Sequence, residues 1–215
     1  MIVIAPFCPA VAVDNTKPTA LEIQIHKLVN EERASVDTSL AQLVLSSVLI
    51  RVAREHSWDM LNNSYFDHYD LNGKGPADRV TAAGVEWTYV AENLYYSQGY
   101  PANQIAQSAV DGWIHSPGHY ANMKSQTHFT GIGVASQGDL YYITQVFVEG
   151  SKSQLEKIGV IYDNNNLDSL QTDTSHPFAY TREVVLVSFL AVVFFLAWVA
   201  DKKNKEYRLR RRRRR

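Results

Sequence analysis

An apolar segment near the carboxyl end divides the chain into two environments. Residues 184–200 carry no charged side chain, and they are followed by Asp201, Lys202 and Lys203 and then by arginine at every position from 210 to 215. About 20 apolar residues span a bilayer, and a basic flank favours the cytoplasmic side. We therefore predict a transmembrane helix over residues 183–200, a basic cytoplasmic tail over 201–215 and an extracellular domain before them.

The distribution of charge agrees with this division. The whole chain holds 21 Lys or Arg and 22 Asp or Glu, yet residues 201–215 hold ten basic and two acidic side chains. The part before the apolar segment is therefore acidic. A run of arginines can bind nucleic acid, but directly behind an apolar segment it favours the membrane surface. We expect the membrane, and no nucleic acid, as a partner.

The amino-terminal residues resemble a targeting segment. Residues 2–13 are mostly apolar, and Ala10-Val11-Ala12 has the small residues of a signal-peptidase site. We predict a secretory signal or an apolar amino-terminal segment over residues 1–17. The positively charged residues that usually begin a signal peptide are missing, so the alternative is that the carboxyl-terminal apolar segment inserts as a tail anchor. The single cysteine, Cys8, lies in this segment. A mature domain without it has no disulfide and must be stabilised by packing.

Residues 18–150 carry the patterns of one α+β domain. Thr19 and Glu22 have the spacing of a capping box, which predicts a helix start. Apolar side chains at helical spacing predict helices, and alternating aromatic and branched residues predict strands. The helices are expected at about 19–33, 46–63, 76–83 and 101–116, and the strands at 85–96, 129–135 and 140–148, the last two as a central hairpin. Residues 151–182 are predicted to be a polar stalk with one further element near 158–162.

Three polar side chains occur beside breaks in these patterns. Pro117-Gly118 ends a predicted helix, so His119 is expected to project from a bend. His68 precedes a Gly-rich turn, and Glu92 lies between apolar neighbours. We expect the three to meet in one cleft. The alternative for Glu92 is a helix cap or a partner for an arginine such as Arg79.

Two further side chains are expected to be structural. His56 falls on the inward stripe of the predicted second helix, where a histidine is more often hydrogen-bonded in the core than a ligand. Trp113 recurs at helical spacing with Ile105 and Ala109, so it is expected to pack in the core.

Four motifs in order resemble those of the CAP superfamily, which includes cysteine-rich secretory proteins, antigen 5 and plant pathogenesis-related 1 proteins. They are Phe66-Asp67-His68, Ala91-Glu92-Asn93-Leu94, residues 113–122 and residues 130–134. The resemblance covers about residues 21–148 and is closest to the cysteine-free prokaryotic branch. It implies a three-layer αβα sandwich of CAP type with a central cleft. It also matches Asn30 and Arg33 to family positions, for which we expect structural roles.

The resemblance also implies a set of cleft residues. Eukaryotic members carry a His, Glu, Glu, His tetrad, and His68 and Glu92 match its first two members. Ser116 stands where the third is expected, and Tyr142 stands where the fourth is expected. His119 matches the histidine of the prokaryotic motif. The implied ligand-binding set is therefore His68, Glu92, His119, Ser116 and Tyr142.

Two functions from different classes fit these residues. Our leading hypothesis is a membrane-anchored extracellular domain that binds an envelope lipid, glycan or protein ligand in the cleft. The alternative is a metal-dependent hydrolase or peptidase. In that case His68, His119 and Glu92 would hold zinc or another divalent cation and activate a water, or Glu92 would act as a general base.

Overall fold

The computed structural model describes residues 16–163 together with residues 167 and 170. Within these residues the chain forms six α-helices, one 3-10 turn and five strands. In chain order they are α1 (Ala20–Val36), β1 (Val44–Ser46), α2 (Ser47–Asn63), α3 (Pro76–Ala82), β2 (Trp87–Gln98), the 3-10 turn (Ala102–Gln104), α4 (Ile105–Ile114), α5 (Pro117–Met123), β3 (Phe129–Gln137), β4 (Leu140–Gly150), α6 (Lys152–Ile158) and β5 (Ile161–Tyr162).

The strands form one sheet in the order β2-β4-β3-β1-β5. Only the β1–β3 pair is parallel among these strands. The β3–β4 hairpin turns at Gly138, whose φ of 64° lies in the left-handed region that glycine tolerates. This hairpin occupies the centre of the sheet, as the sequence predicts. Strand β2 lies at one edge.

Helices pack against both faces of the sheet because successive side chains of a strand point to opposite faces. On β4, Ile143 and Phe147 share a core with residues of α1 and α4. Val146 and Val148 share a second core with residues of α2 and with Val80 of α3. Trp113 of α4 is buried and donates from Nε1 to the Leu94 carbonyl over 2.9 Å, which confirms its packing role.

Helix α1 begins where the capping box predicts. Thr19 Oγ1 accepts a hydrogen bond from the Glu22 amide, and Glu22 Oε2 accepts one from the Thr19 amide over 2.7 Å. Glu22 also accepts from Arg54 of α2, with 2.8 Å between Oε1 and Nε. Glu22 is fully buried, so this charged pair is desolvated and joins α1 to α2.

Asn30 and Arg33 of α1 have the structural roles that we expected. Asn30 Oδ1 accepts from the Leu43 amide over 2.8 Å, and its Nδ2 donates to the Leu43 carbonyl over 3.0 Å. The Arg33 guanidinium donates to four backbone carbonyls, those of Ala41, Met123, Ser125 and Thr127. These bonds fix the segment that leads into β1 and the segment that follows α5.

The domain continues beyond the predicted start of the stalk. Helix α6 buries Leu155, and β5 pairs with β1 through Leu45–Tyr162 and Ser46–Ile161. The stalk therefore does not begin at residue 151. The polar composition of this region is misleading because α6 has one buried side chain and exposes most of the others. Only the element expected near residues 158–162 was foreseen.

His119 also differs from its predicted setting. Pro117 and Gly118 separate α4 from α5, but they begin the new helix instead of forming a bend. Proline is well tolerated at the first helical position, where its missing N–H would have no intrahelical partner. His119 consequently lies in the first turn of α5.

Several predicted segments lie outside the described residues. They are the amino-terminal signal up to residue 15, most of the rest of the stalk, the transmembrane helix over 183–200 and the basic tail over 201–215. Among the residues that the structure does describe, no helix has the length and apolar character needed to cross a membrane.

Candidate functional site

The Glu92 carboxylate lies at the centre of the candidate site. Glu92 is on the edge strand β2 and is only 4% exposed. Its Oε1 is 2.9 Å from His68 Nδ1, and its Oε2 accepts from Arg79 Nη2 over 2.6 Å. Both oxygens are therefore engaged in charge-assisted hydrogen bonds. The two alternatives for Glu92 coexist, since it pairs with Arg79 and also contacts a cleft histidine.

Arg79 of α3 positions both of these residues. Its Nη2 binds Glu92, while its Nη1 donates to the carbonyls of His68 and Lys74, each over 2.9 Å. The guanidinium presents several donors in a fixed planar geometry, so one side chain can bind a loop and a strand at the same time. Arg79 thereby fixes the loop that carries His68 against β2.

His68 is oriented by Glu92. An ionised carboxylate only accepts hydrogen bonds, so the proton on this side of the ring is assigned to Nδ1. In a neutral ring the other nitrogen, Nε2, carries the lone pair. The His68 side chain is 45% exposed, so part of the ring is open to solvent.

The His119 ring lies beside the His68 ring. Their ring centroids are 6.3 Å apart, with an angle of 55° between the planes. Burial lowers the pKa of His119, and the neighbouring His68 lowers it further. His119 is therefore neutral at pH 7, like a histidine that accepts a hydrogen bond or binds a metal.

Helix α5 is anchored to the open edge of β2. Asn93 Nδ2 donates to the His119 carbonyl over 3.0 Å. Asn122 Nδ2 donates to the Glu92 carbonyl over 3.1 Å and to Asn93 Oδ1 over 3.0 Å. An edge strand has unpaired backbone groups, and α5 satisfies one of them here. These bonds place His119 beside the strand that carries Glu92.

His56 lies behind the cleft and has the core role that we expected. It is 1% exposed, and its Nε2 is 2.9 Å from the Asp67 carbonyl and 4.0 Å from Glu92 Oε1. Burial is the main cause that lowers the pKa of His56. Its proximity to Glu92 was not foreseen from the sequence.

Ser116 and Tyr142 are placed differently from the other candidates. Ser116 precedes α5 and makes no side-chain capping bond, and no hydrogen bond in the described part of the chain links it to Glu92. Tyr142 of β4 is 7% exposed and packs against Tyr96, with 5.1 Å between the ring centroids. Burial raises the pKa of Tyr142. Tyr142 therefore belongs to an aromatic cluster with Tyr96, which lies four residues along β2 from Glu92.

The sequence-based candidates miss Phe66 and Tyr96, which complete this cluster. Phe66 lies 6.0 Å from Tyr96 and 6.2 Å from Tyr142, measured between ring centroids. The alternation of side chains along β2 could have identified Tyr96, because residues 92, 94 and 96 of one strand share a face. Phe66 gave no such signal, since it lies in a loop.

The metal set expected from His68, His119 and Glu92 is only partly compatible with this geometry. No group of three or more His, Cys, Asp or Glu side chains within residues 16–163 is arranged to hold a metal ion. Glu92 already binds Arg79 and His68, which leaves two imidazole nitrogens as ligands. A carboxylate that orients a metal-binding histidine is a common arrangement, and Glu92 fits that supporting position.

The domain as a whole matches a known family. The family model described as "CAP: Cysteine-rich secretory protein family" matches residues 26–148. This is more than half of the chain, so the chain belongs to the CAP family. The mixed α/β fold with a five-stranded sheet agrees with the expectation from the resemblance.

Two relatives come from Bacillus subtilis strain 168. The uncharacterized protein YkwD is 30% identical over 132 residues, which are 60% of this chain and 48% of YkwD. The uncharacterized membrane protein YlbC is 34% identical over 133 residues, 61% of this chain and 35% of YlbC. The matched region thus spans less than half the length of either relative.

Two solved structures share the fold. An extracellular protein with an SCP domain from Bacillus anthracis is 28% identical with a TM-score of 0.50, covering 60% of this chain and 40% of that one. An outer surface protein of Borrelia burgdorferi is 20% identical with a TM-score of 0.53, covering 63% of this chain and 97% of that one. The second comparison supports the fold alone.

Proposed function

We propose that this chain displays an extracellular CAP domain that recognises an envelope ligand through His68, Glu92 and His119, together called the His–Glu cleft. One observation carries the proposal. The buried Glu92 is paired through both oxygens and orients His68, which is 45% exposed and has its ring 6.3 Å from that of His119, measured between centroids. Two oriented imidazoles at an open surface suit a ligand with hydrogen-bonding groups.

The electrostatics of the cleft favour recognition over general-base catalysis by Glu92. Its two oxygens accept hydrogen bonds from Arg79 and from His68. A catalytic base must reach the proton that it abstracts, and a buried, doubly paired carboxylate cannot do so without breaking these bonds. The groups available to a ligand are the imidazoles, which donate or accept hydrogen bonds without a fixed charge.

This proposal is tested by co-sedimentation of the full chain with envelope fragments from the cell that produces it. The His68→Ala, His119→Ala double variant should lose binding at least tenfold. His115→Ala is the matched control, because His115 is an exposed histidine close in sequence whose Nδ1 lies 2.7 Å from the Asp111 carbonyl. Equal binding by the double variant and the control would contradict the proposal.

We also propose that the domain is held outside the cell membrane by the apolar segment at residues 183–200, with residues 201–215 in the cytoplasm. The basic flank after this segment supports that orientation. The relatives include a membrane protein and an extracellular protein. A chain ending at residue 182 should leave the membrane fraction, whereas the full chain should remain there after a high-salt wash. Release of the full chain by salt would contradict an inserted anchor.

Metal-dependent hydrolysis, including peptidase activity, is the second candidate function. It is favoured by the His68–Glu92 pair, which resembles the carboxylate–histidine arrangement at metal sites. Zinc could then bind His68 Nε2 and His119, with water completing its coordination. Calorimetry with zinc should show stoichiometric binding that the double variant loses, and chelation should abolish any hydrolysis. Hydrolysis that persists in a chelator would remove this candidate.

A further inference from the structure

An aromatic surface adjoins the His–Glu cleft. Phe66, Tyr96 and Tyr142 have ring centroids between 5.1 and 6.2 Å apart. Tyr142 is 7% exposed and forms the base, whereas Phe66 and Tyr96 are 49% and 43% exposed. We call these three side chains the aromatic platform. Exposed aromatic rings held against a buried one offer a large contact area with little loss of conformational freedom on binding.

The platform and the cleft lie along the same strand and the same loop. Glu92, Leu94 and Tyr96 share a face of β2, and four residues of strand span about 13 Å. The loop before α3 follows the same line, because Phe66 contacts Tyr96 while His68 contacts Glu92. The loop thus has a polar end at His68 and an aromatic end at Phe66, which contacts Tyr96. An elongated ligand could touch both ends at once.

Tyr142 makes this surface different from the implied family cleft. It stands where the resemblance implies the fourth, histidine member of the tetrad. In its place the ring packs edge-on against Tyr96, its neighbour on β2, at an interplanar angle of 71°. A polar cleft residue is thus replaced by a ring that supports two exposed aromatic side chains.

We propose that the aromatic platform binds sugar rings of a neutral envelope glycan, while the His–Glu cleft binds hydroxyl groups farther along the same glycan chain. This inference rests on the proposed function and specifies its ligand class. A sugar ring has an apolar C–H face and hydroxyl groups at its rim, which match an exposed aromatic ring beside hydrogen-bonding side chains.

The chemistry of the platform favours a neutral glycan over a lipid or an acidic polymer. Its three members are uncharged, and the Tyr96 hydroxyl donates to the Gln98 amide oxygen over 3.5 Å. An acidic chain would find no cation among these groups. An acyl chain gains most when it is removed from water on all sides, and the two outer rings, each about half exposed, cover only one side of a ligand.

The inference is tested with two neutral probes, the hexamer of N-acetylglucosamine and cellohexaose, added to the full chain in a detergent without sugar head groups. Calorimetry should show binding of at least one probe. Phe66→Ala and Tyr96→Ala should each weaken it by about tenfold, whereas Tyr96→Phe keeps the ring and should change it less than about threefold. Tyr89→Ala is the matched control, since Tyr89 is 44% exposed on the same strand but on the opposite face of the sheet.

A direct measurement keeps the test decisive if a variant folds poorly. Ring resonances of Phe66 and Tyr96 should shift when a probe is added to the unmodified chain, and those of Tyr89 should not. Absence of binding by both probes overturns the glycan assignment but leaves the His–Glu cleft to its own envelope test. Binding that depends on His68 and His119 but not on Phe66 or Tyr96 overturns the platform and retains the cleft.

Discussion

At the residue scale, the geometry of the site depends on the carboxylate of Glu92, which is buried and removed from solvent. Glu92 keeps its orientation because hydrogen bonds from Arg79 and His68 take the place of hydrogen bonds from water. Taking one member from a buried charged pair is costly, because the remaining charge stays desolvated and unpaired. Glu92 therefore contributes to the stability of the fold as well as to the placement of His68.

Replacing Glu92 with Gln should lower the free energy of unfolding by about 3 kcal/mol, because Arg79 loses its buried counter-charge. Urea unfolding at pH 7 measures this change. Glu55→Gln is the control: its pair with Arg51 is exposed, with side-chain exposures of 63% and 45%, and such a pair contributes at most about 1 kcal/mol. Equal effects of the two substitutions would show that burial of Glu92 does not matter.

A second buried residue makes stability depend on pH. His26 of α1 is 1% exposed, and its Nε2 is 2.8 Å from the Leu43 carbonyl. Burial lowers the pKa of His26 from 6.5 to about 4. The unfolded chain therefore takes up this proton first as the pH falls. The stability contributed by neutral His26 is complete above pH 6.5 and is lost as the pH falls from 6.5 towards 4.

The expected loss from His26 between these limits is about 3 kcal/mol. Urea unfolding at pH 7 and at pH 4 should show a larger loss for the unmodified chain than for His26→Gln, which cannot titrate. The difference between the two proteins isolates His26 from the carboxylates that also titrate. Identical losses in both proteins would contradict the assignment.

Sequence reasoning succeeded at residues whose chemistry is visible in their immediate neighbours. The approach of His68, Glu92 and His119 was expected from the family motifs, although the bend expected at Pro117-Gly118 is the start of α5. The Arg79–Glu92 pair was open as an alternative, and the structure shows that it accompanies the His68 contact. The Phe66–Tyr142 contact was not predictable, because it joins a loop to a distant strand.

At the element scale, the close contact between α2 and β3 determines how one face of the sheet is covered. Gly131 and Gly133 lie under the helix. A Cβ added to Gly131 would overlap the backbone at Leu49, and one added to Gly133 would overlap the backbone at Arg54. The helix can rest directly on the strand only because these side chains are absent. The same helix carries His56, which lies behind Glu92.

Gly133→Ala should lower the free energy of unfolding by about 3 kcal/mol, because the added methyl group meets backbone atoms that cannot move aside independently. Thermal unfolding measures this effect. Gly112→Ala is the control, since its Cβ would lie at an ordinary 3.5 Å from the Tyr95 ring and alanine favours a helix by about 1 kcal/mol. A Gly133 variant as stable as the Gly112 variant would contradict the proposed contact.

Elements with local signals were predicted, and those held by distant residues were not. The capping box located the start of α1, and the glycine turn located the central hairpin. Strand β1 has only three residues, and the segment before it is fixed by side chains of α1. Strand β5 has two residues and depends on pairing with β1, so the sequence indicated an element near residues 158–162 but not its type. Such short strands carry too little alternation to be recognised in a sequence.

At the scale of the whole molecule, the CAP domain provides the fold, and β2 carries the surface that we propose for the ligand. The edge strand brings together groups from two helices and a loop, because α5 covers part of its edge and Arg79 of α3 ties the His68 loop to it. The membership in the family follows from the ordered motifs. The motifs do not identify the ligand class, because we expect that class to depend on which side chains replace the implied tetrad members.

The most direct test of the His–Glu cleft is NMR of the histidine rings in the full chain during titration with envelope fragments from the producing cell. The resonances of His68 and His119 should shift together and saturably, since their rings lie beside each other. Those of His115, exposed and close in sequence, should remain unchanged. Saturable binding that leaves both His68 and His119 unperturbed would contradict recognition at this site.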